Sequence, residues 1–243
     1  MVNVTTHAVE GDNRVDKDPM ASSRFSELLR TLVIEDLVCA TQIRISRNAH
    51  IFNTGDSDDD IYLIESGHVK TVAYSREGKQ CLLSIYAAGD VFGELCRPSC
   101  GRLETATAMR ASILRRIPSS RFRAALANPE LLEAFLSYVT VRVSEQQQII
   151  TNLVTMDSQR RLAAVLLTLA DKIGKRHSTG TRIEQRITQE ELSGMVGTTR
   201  SRVGYFLKCF MEAGLVSRHP GAFLVVDESG LADYLDASGG LVA

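Results

Sequence analysis

Six residues near the C-terminal end, Thr198, Thr199, Arg200, Ser201, Arg202 and Tyr205, carry side chains suited to reading double-stranded DNA. An Arg takes guanine O6 and N7 as a bidentate pair, Ser and Tyr make single polar contacts, and an off-centre Arg is better placed for phosphate. On that chemistry Arg200 is expected to read a base, with Arg202 and Thr198 on the sugar-phosphate backbone. A second candidate is Cys96 with Cys100, spaced C-x3-C beside Arg97 and Arg102, which would be redox thiols if the cations lower their pKa. Catalysis is not expected, because the chain has no nucleophile with a matching base, no metal-ligand spacing and no P-loop. No catalytic or metal residue is assigned.

Side chains reach a groove only from a positioned element. Thr188-Gln189-Glu190-Glu191 is a capping box, in which Thr188 and Glu191 satisfy each other's orphan backbone donors, so a helix starts there. Leu192 and Val196 point inward, small Ser193 lets a second helix approach, and Gly197 supplies the positive φ of a tight turn. Thr198 or Thr199 then caps a second helix that buries Val203, Phe206, Leu207 and Phe210 and turns Arg200, Ser201, Arg202 and Tyr205 outward. After Gly214, Leu215 to Arg218 and Phe223 to Val226 flank His219-Pro220-Gly221-Ala222, a strand, turn and strand. Together these predict a winged helix-turn-helix.

Upstream, Asp157 is placed to cap a helix over Ser158 to Ile173, and Lys175 to Gly180 reads as a loop. A longer helix opens at Asn128-Pro129. Its residues Leu132, Leu136, Val139, Val143, Gln146, Ile150 and Leu153 recur at alternating spacings of 4 and 3, a heptad seam that predicts a parallel dimer stripe. Its other faces carry Glu130, Glu133, Arg142, Glu145, Gln147 and Gln148. From about Arg44 to Pro118 the apolar runs Ile61–Ile64, Val69–Tyr74, Cys81–Tyr86, Thr105–Ala108 and Ile113–Ile117 are broken by Gly55, Gly67, Gly78 and Gly89. That rhythm predicts an antiparallel barrel or jelly roll.

The expected organisation is α+β: a flexible tail over 1–22, a β-roll over 23–128, a central helix over 129–156 and the winged helix-turn-helix over 157–243. Net charge is −1, yet residues 158–226 hold 11 Lys and Arg against 5 Asp and Glu, a basic module inside a near-neutral chain. With 44% hydrophobic residues and no apolar run long enough for a bilayer, no membrane partner is expected. Five scattered cysteines and a polar N-terminal segment imply free thiols and a cytoplasmic setting.

Roll, long helix and winged helix-turn-helix in this order resemble the cAMP receptor protein and fumarate-nitrate reduction regulator (CRP/FNR) family of bacterial transcription factors, over about residues 24 to 226. The resemblance rests on Gly67, on Gly89-Asp90-Val91-Phe92-Gly93-Glu94-Leu95, which is similar to the family's phosphate-binding cassette, on Asn152-Leu153 and Asp157 at the hinge, and on Ile187 to Leu215. It implies a cyclic-nucleotide-binding-like sensor roll, a homodimer on a near-palindromic DNA site, and RNA polymerase as a partner. The effector pocket would draw on Phe92, Gly93, Glu94, Leu95, Glu104, Thr105, Gln146 and Gln147.

The chain departs from the family at that pocket. Glu104-Thr105-Ala106 stands where cyclic-nucleotide binders carry Arg-Ser-Ala or Arg-Thr-Ala, and a carboxylate facing a buried phosphate repels it. Arg102 lies two residues earlier, an offset of roughly 6–7 Å along a strand. Gln146-Gln147 replaces an adenine-contacting hydroxyl pair. A cyclic nucleotide is therefore not the expected cofactor, and the signal is unassigned. Neither haem nor an iron-sulfur cluster is expected, since only Cys39 precedes Ala40 and His50 and His68 stand away from the haem-ligand position. The competing reading is a stand-alone nucleotide-sensing module whose basic segment docks a protein partner.

Overall fold

Alternating apolar residues between glycine turns build two facing antiparallel sheets. The computed structural model of the chain describes residues 19–78, 80–94, 96–97, 101–178, 180–220 and 223–237, with 19–23 and 96–97 described in backbone alone. Helix α1 (Pro19–Ile34) leads into β1 (Thr41–Ile45), β2 (His50–Phe52), β3 (Ile61–Ser66), β4 (Val69–Tyr74) and β5 (Gln80–Tyr86). The short β6 (Val91–Phe92), β7 (Cys96–Arg97) and β8 (Gly101–Arg102) follow, then β9 (Thr105–Ala108) and β10 (Ser112–Ile117). One sheet runs β1-β10-β3-β6, the other β2-β9-β4-β5, and β7 pairs with β8 alone.

Between the sheets lie Phe52, Tyr62, Ile64, Val69, Tyr86, Phe92, Ala106 and Leu114, the core of a β-roll. Gly67, at φ 106°, joins β3 to β4; a Cβ there would lie 2.1 Å from Ser112 Oγ, so only glycine closes this corner. The runs foreseen in the sequence are all strands. The short β1 and β2 and the ribbon β7-β8 were not foreseen, because so few residues carry no readable alternation.

Helix α1 begins at Pro19, inside the segment expected to be a flexible tail. Proline suits a helix's first turn, and Phe25, Leu29 and Val33 recur at helical spacing and are buried. They pack on Leu131, Ala134 and Tyr138 of α3 (Pro129–Thr155), with α2 (Ser119–Ala125) between. Phe25 and Tyr138 meet with ring centroids 5.0 Å apart. Asn128 caps α3, its side chain accepting from the backbone N–H groups of Glu130 at 2.9 Å and Leu131 at 3.2 Å. The face of α3 turned from the roll leaves Leu136, Val143, Ile150 and Leu153 exposed, at 58%, 51%, 61% and 45%. Val139, also in the heptad seam, packs partly against the roll side instead.

Helix α4 (Ser158–Ile173) starts at Asp157, whose carboxylate accepts from Gln159 N and Arg160 N. The described residues of 175–180 are not all loop. They belong to a hairpin of β11 (Gly174–His177) and β12 (Gly180–Ile183), which continues into β14 (Leu224–Val226) and β13 (Val216–Ser217) as one sheet. Thr181 and Ile183 alternate into the core, and β12 exists because β14 offers it a ladder from more than 40 residues away. Helices α5 (Gln189–Val196) and α6 (Arg200–Glu212) form the helix-turn-helix, and α7 (Glu228–Ala237), not foreseen, closes the fold by burying Leu231.

Candidate nucleic-acid interface and effector pocket

The turn that presents the DNA-facing residues is built as its chemistry requires. Glu191 N donates to Thr188 Oγ1 at 3.1 Å while Glu191 Oε2 accepts from Thr188 N at 2.7 Å, closing the capping box of α5. Gly197 ends α5 in the left-handed region at φ 68°. Thr199, rather than Thr198, is the cap of α6, accepting from Arg202 N at 3.4 Å and lying 3.2 Å from Ser201 Oγ. Thr198 is half-buried in the turn and donates its backbone N–H to Ser193 O. Val203, Phe206, Leu207 and Phe210 are buried beneath α6. Arg200, Ser201, Arg202 and Tyr205 are exposed on its outer face, Tyr205 at 64%.

Arg200 lies in a cleft of about 480 Å³ with Arg186, Thr188, Gln189, Glu190, Arg218 and Phe223. Arg186 and Arg218, from the loops after β12 and β13, therefore line one cleft with Arg200 at the start of α6. Among the described residues, no ion pair engages Arg186, Arg200, Arg202 or Arg218, so they are available to an external anion. Arg186 and Arg218 were not among the expected contacts; only the fold brings them next to Arg200. The wing's strands are present, while its tip at Gly221-Ala222 lies outside the described residues.

The roll interior is more unusual. Arg102 is completely buried, with Nη1 donating to Gly93 O at 2.6 Å, Nη2 donating to Asp60 O at 2.7 Å, and an ion pair to Asp58. Its guanidinium lies 4.1 Å over the Phe52 ring. This Arg thus reaches the cassette despite its strand offset, but its charge is already matched and four of its five N–H donors are already used. Phe92 is buried in the core, stacked on Tyr62 at 5.2 Å. Thr105 is buried and its hydroxyl accepts from Thr54 N at 3.1 Å.

Among the residues expected to line the effector pocket, Glu94 and Glu104 are the charged ones. Both are shifted up by burial, and Glu104 is raised further by facing Glu94. The balancing cation comes from the central helix. Arg142 donates to Tyr86 OH at 2.6 Å and lies 3.8 Å from Glu94 and 3.7 Å from Glu145. Burial works against its charge, but Tyr86, Tyr138, Glu94 and Glu145 hold it firmly protonated. The sequence places Arg142 only as one polar residue off the seam. The signal that could have found it is its i+4 spacing from buried Tyr138, whose hydroxyl donates to Val91 O at 2.8 Å. Gln147 faces solvent, and Gln146 lines a different cavity of about 260 Å³ between α3, α4, α5 and β5. Leu95 and Cys100 lie outside the described residues, as does the side chain of Cys96.

A carboxylate whose folded pKa is raised costs stability at pH values above both its folded and unfolded pKa, and costs nothing below both. Glu104→Gln is therefore expected to stabilise the protein at pH 7, on the order of 1 kcal/mol. The gain should shrink as pH falls through the ordinary carboxylate range. Denaturant titrations at pH 7 and pH 4 measure this, and a lower midpoint for the variant at pH 7 would show that Glu104 is usefully paired.

Comparison with known proteins agrees with this architecture. A cyclic nucleotide-binding domain matches residues 42–128 and a Crp-like helix-turn-helix domain matches residues 160–234. The chain is 30% identical over 191 residues to the CRP-like cAMP-activated global transcriptional regulator of Mycobacterium tuberculosis, covering 76% of this chain and 84% of that protein. It is 31% identical over 180 residues to the cAMP-activated global transcriptional regulator CRP of Salmonella typhimurium, covering 72% and 84%. The fold is shared with FixK2 from Bradyrhizobium japonicum, at a TM-score of 0.69 over 81% of this chain and 97% of that one with 16% identity. With a nucleotide-binding-type roll, a long central helix and a Crp-like helix-turn-helix in one polypeptide, the chain belongs to the CRP/FNR family of DNA-binding transcriptional regulators.

Proposed function

We propose that this chain is a dimeric regulator that reads a near-palindromic DNA site through Arg200, Ser201, Arg202 and Tyr205, under a signal that is not a cyclic nucleotide. The observation that carries the DNA reading is the exposed polar face of α6, whose Arg side chains have no ion pair among the described residues while its opposite face is locked into the core. Rigid backing with uncommitted guanidinium groups is what base recognition needs. Arg200, nearest the start of the helix, is the base reader, with Arg202, Thr198 and Thr199 on the sugar-phosphate backbone. The output would be control of transcription, as the names of its relatives state for them, in the cytoplasm with RNA polymerase as partner.

Arg200→Ala is expected to weaken binding to the selected site by about 1–3 kcal/mol and to relax the preference at one position of each half-site. Selection of bound fragments from a random pool, followed by anisotropy titrations, gives both quantities. Identical preferences for variant and wild type would remove Arg200 from base reading.

Dimerisation through α3 is supported by its exposed apolar stripe, which a monomer would leave in water at about 25 cal/mol per Å². Two copies packed along it would set half-site centres about 34 Å apart, one turn of the duplex. Ile150→Glu at the stripe should turn a dimer into a monomer in sedimentation equilibrium at micromolar concentration, and a dimer that survives the change must be built elsewhere.

The Mycobacterium tuberculosis and Salmonella typhimurium relatives are described as cAMP-activated, yet here the buried cations at the roll are already matched. Arg102 is paired with Asp58, and Arg142 faces Glu94 and Glu145 with Glu104 close by. A cyclic phosphate would add negative charge to a pocket already holding two carboxylates, a cost of several kcal/mol. Calorimetric titration with cAMP, cGMP and cyclic dinucleotides should show no binding at micromolar concentrations. A micromolar or tighter constant for any of them would overturn the exclusion.

A further inference from the structure

The helix-turn-helix is attached to the sensor roll by more than the hinge after α3. Helix α5 lies directly against β5, and the apolar core continues from Val72, Leu82, Ile85 and Met109 of the roll into Leu192, Val196 and Leu207 of the DNA-binding module. Two features mark the contact as specific. Gly194 sits where a Cβ would come within 3.1 Å of Gln80 O and 3.3 Å of Leu82 N, so α5 and β5 approach backbone to backbone. A glycine inside a helix costs about 1 kcal/mol relative to alanine, and this close approach is what it provides. The Cys81 thiol donates to Gly194 O at 3.6 Å in the same contact.

The second feature is Lys70 on β4, whose Nζ lies 2.5 Å from Glu191 Oε1, with both side chains largely buried at 21% and 11% exposure. Glu191 is the capping-box carboxylate of α5, and its other oxygen accepts from Thr188 N and Thr188 Oγ1. Burial raises the Glu191 carboxyl, but Lys70 and the Thr188 donors outweigh it and hold it below its ordinary range. One carboxylate therefore starts the first helix of the DNA-binding motif and ties it to the sensor sheet.

We infer that Lys70 is a positioning residue for DNA recognition, setting the direction in which the roll presents α6 through the Lys70–Glu191 and Gly194–β5 contacts. The inference rests on the DNA-binding reading above. The docked face of α5 is separate from the outer face of α6, so docking leaves Arg200 and Tyr205 exposed. A module free to tilt about the hinge would spend part of its time misaligned, and its apparent affinity falls by that fraction.

The test is a double-mutant cycle read by DNA binding. Glu191→Gln keeps the capping box, because glutamine serves that position equally, and removes only the charge facing Lys70. Lys70→Ala and Glu191→Gln are each expected to lower affinity for the selected site about fivefold, and the double variant to fall no further than either single. Lys70→Arg should retain most of the wild-type affinity. Base preference and the slope of affinity with salt should stay unchanged, since Lys70 does not touch phosphate. Fully additive losses, unchanged affinity in both singles, or tighter binding by Lys70→Ala would each overturn the inference. A wild-type protein that selects no sequence would instead defeat the DNA-binding reading itself.

Discussion

Arg142 is the charge on which the arrangement of roll and helix depends. It leaves the central helix α3, lies 5.1 Å over the Tyr86 ring, donates to Tyr86 and Ser84, and faces Glu94 and Glu145. Four charged side chains, with Glu104, share a region from which water is largely excluded. Removing the cation would strand the buried carboxylates at several kcal/mol. The register of α3 on the roll is therefore set by electrostatics as well as packing. Sliding the helix by a turn would carry Arg142 about 5 Å from its partners. Any change in the cassette around Gly93 and Glu94 is felt by the helix at this point.

Two contacts then join the roll and α3 to the DNA-binding module. One runs along α3 to the hinge, where Arg161 of α4 donates to Met156 O at 2.6 Å and Val196 O at 2.7 Å, stitching the end of α3 to the end of α5. The other crosses directly from β4 and β5 to α5 through a shared apolar core. Fully burying one large aliphatic side chain contributes about 1.5–3 kcal/mol, so this second contact is not a passing touch between domains. Its ionic component, Lys70 with Glu191, is mostly buried and is screened less by salt than a surface pair.

Features governed by neighbours in the chain were legible before any coordinates. The capping box at Thr188 and Glu191, the positive φ of Gly197, the Asn128 and Asp157 caps and the glycine corners of the roll each depend on a few consecutive residues. The heptad stripe of α3 was legible for the same reason, since periodicity records which face is apolar. The hairpin β11-β12 was missed because its strands are held by β14, and the start of α1 because its partners lie on α3. Phe92 was read from its place in the cassette alone, and the aromatic neighbours that surround it come from β2, β3 and β5.

By itself the sequence determined that a winged helix-turn-helix follows a long helix and a roll, and that Arg200 and its neighbours face outward, because caps, turns and amphipathic periodicity are short-range. Only the tertiary structure decided which charges meet inside the roll. Glu104 was visible as a departure from the family, but Arg102 as its already paired companion and Arg142 as the cation that answers Glu94 were not. Which charge meets which inside a protein depends on strands and helices that approach from 40 to 60 residues away, and no local pattern records that distance.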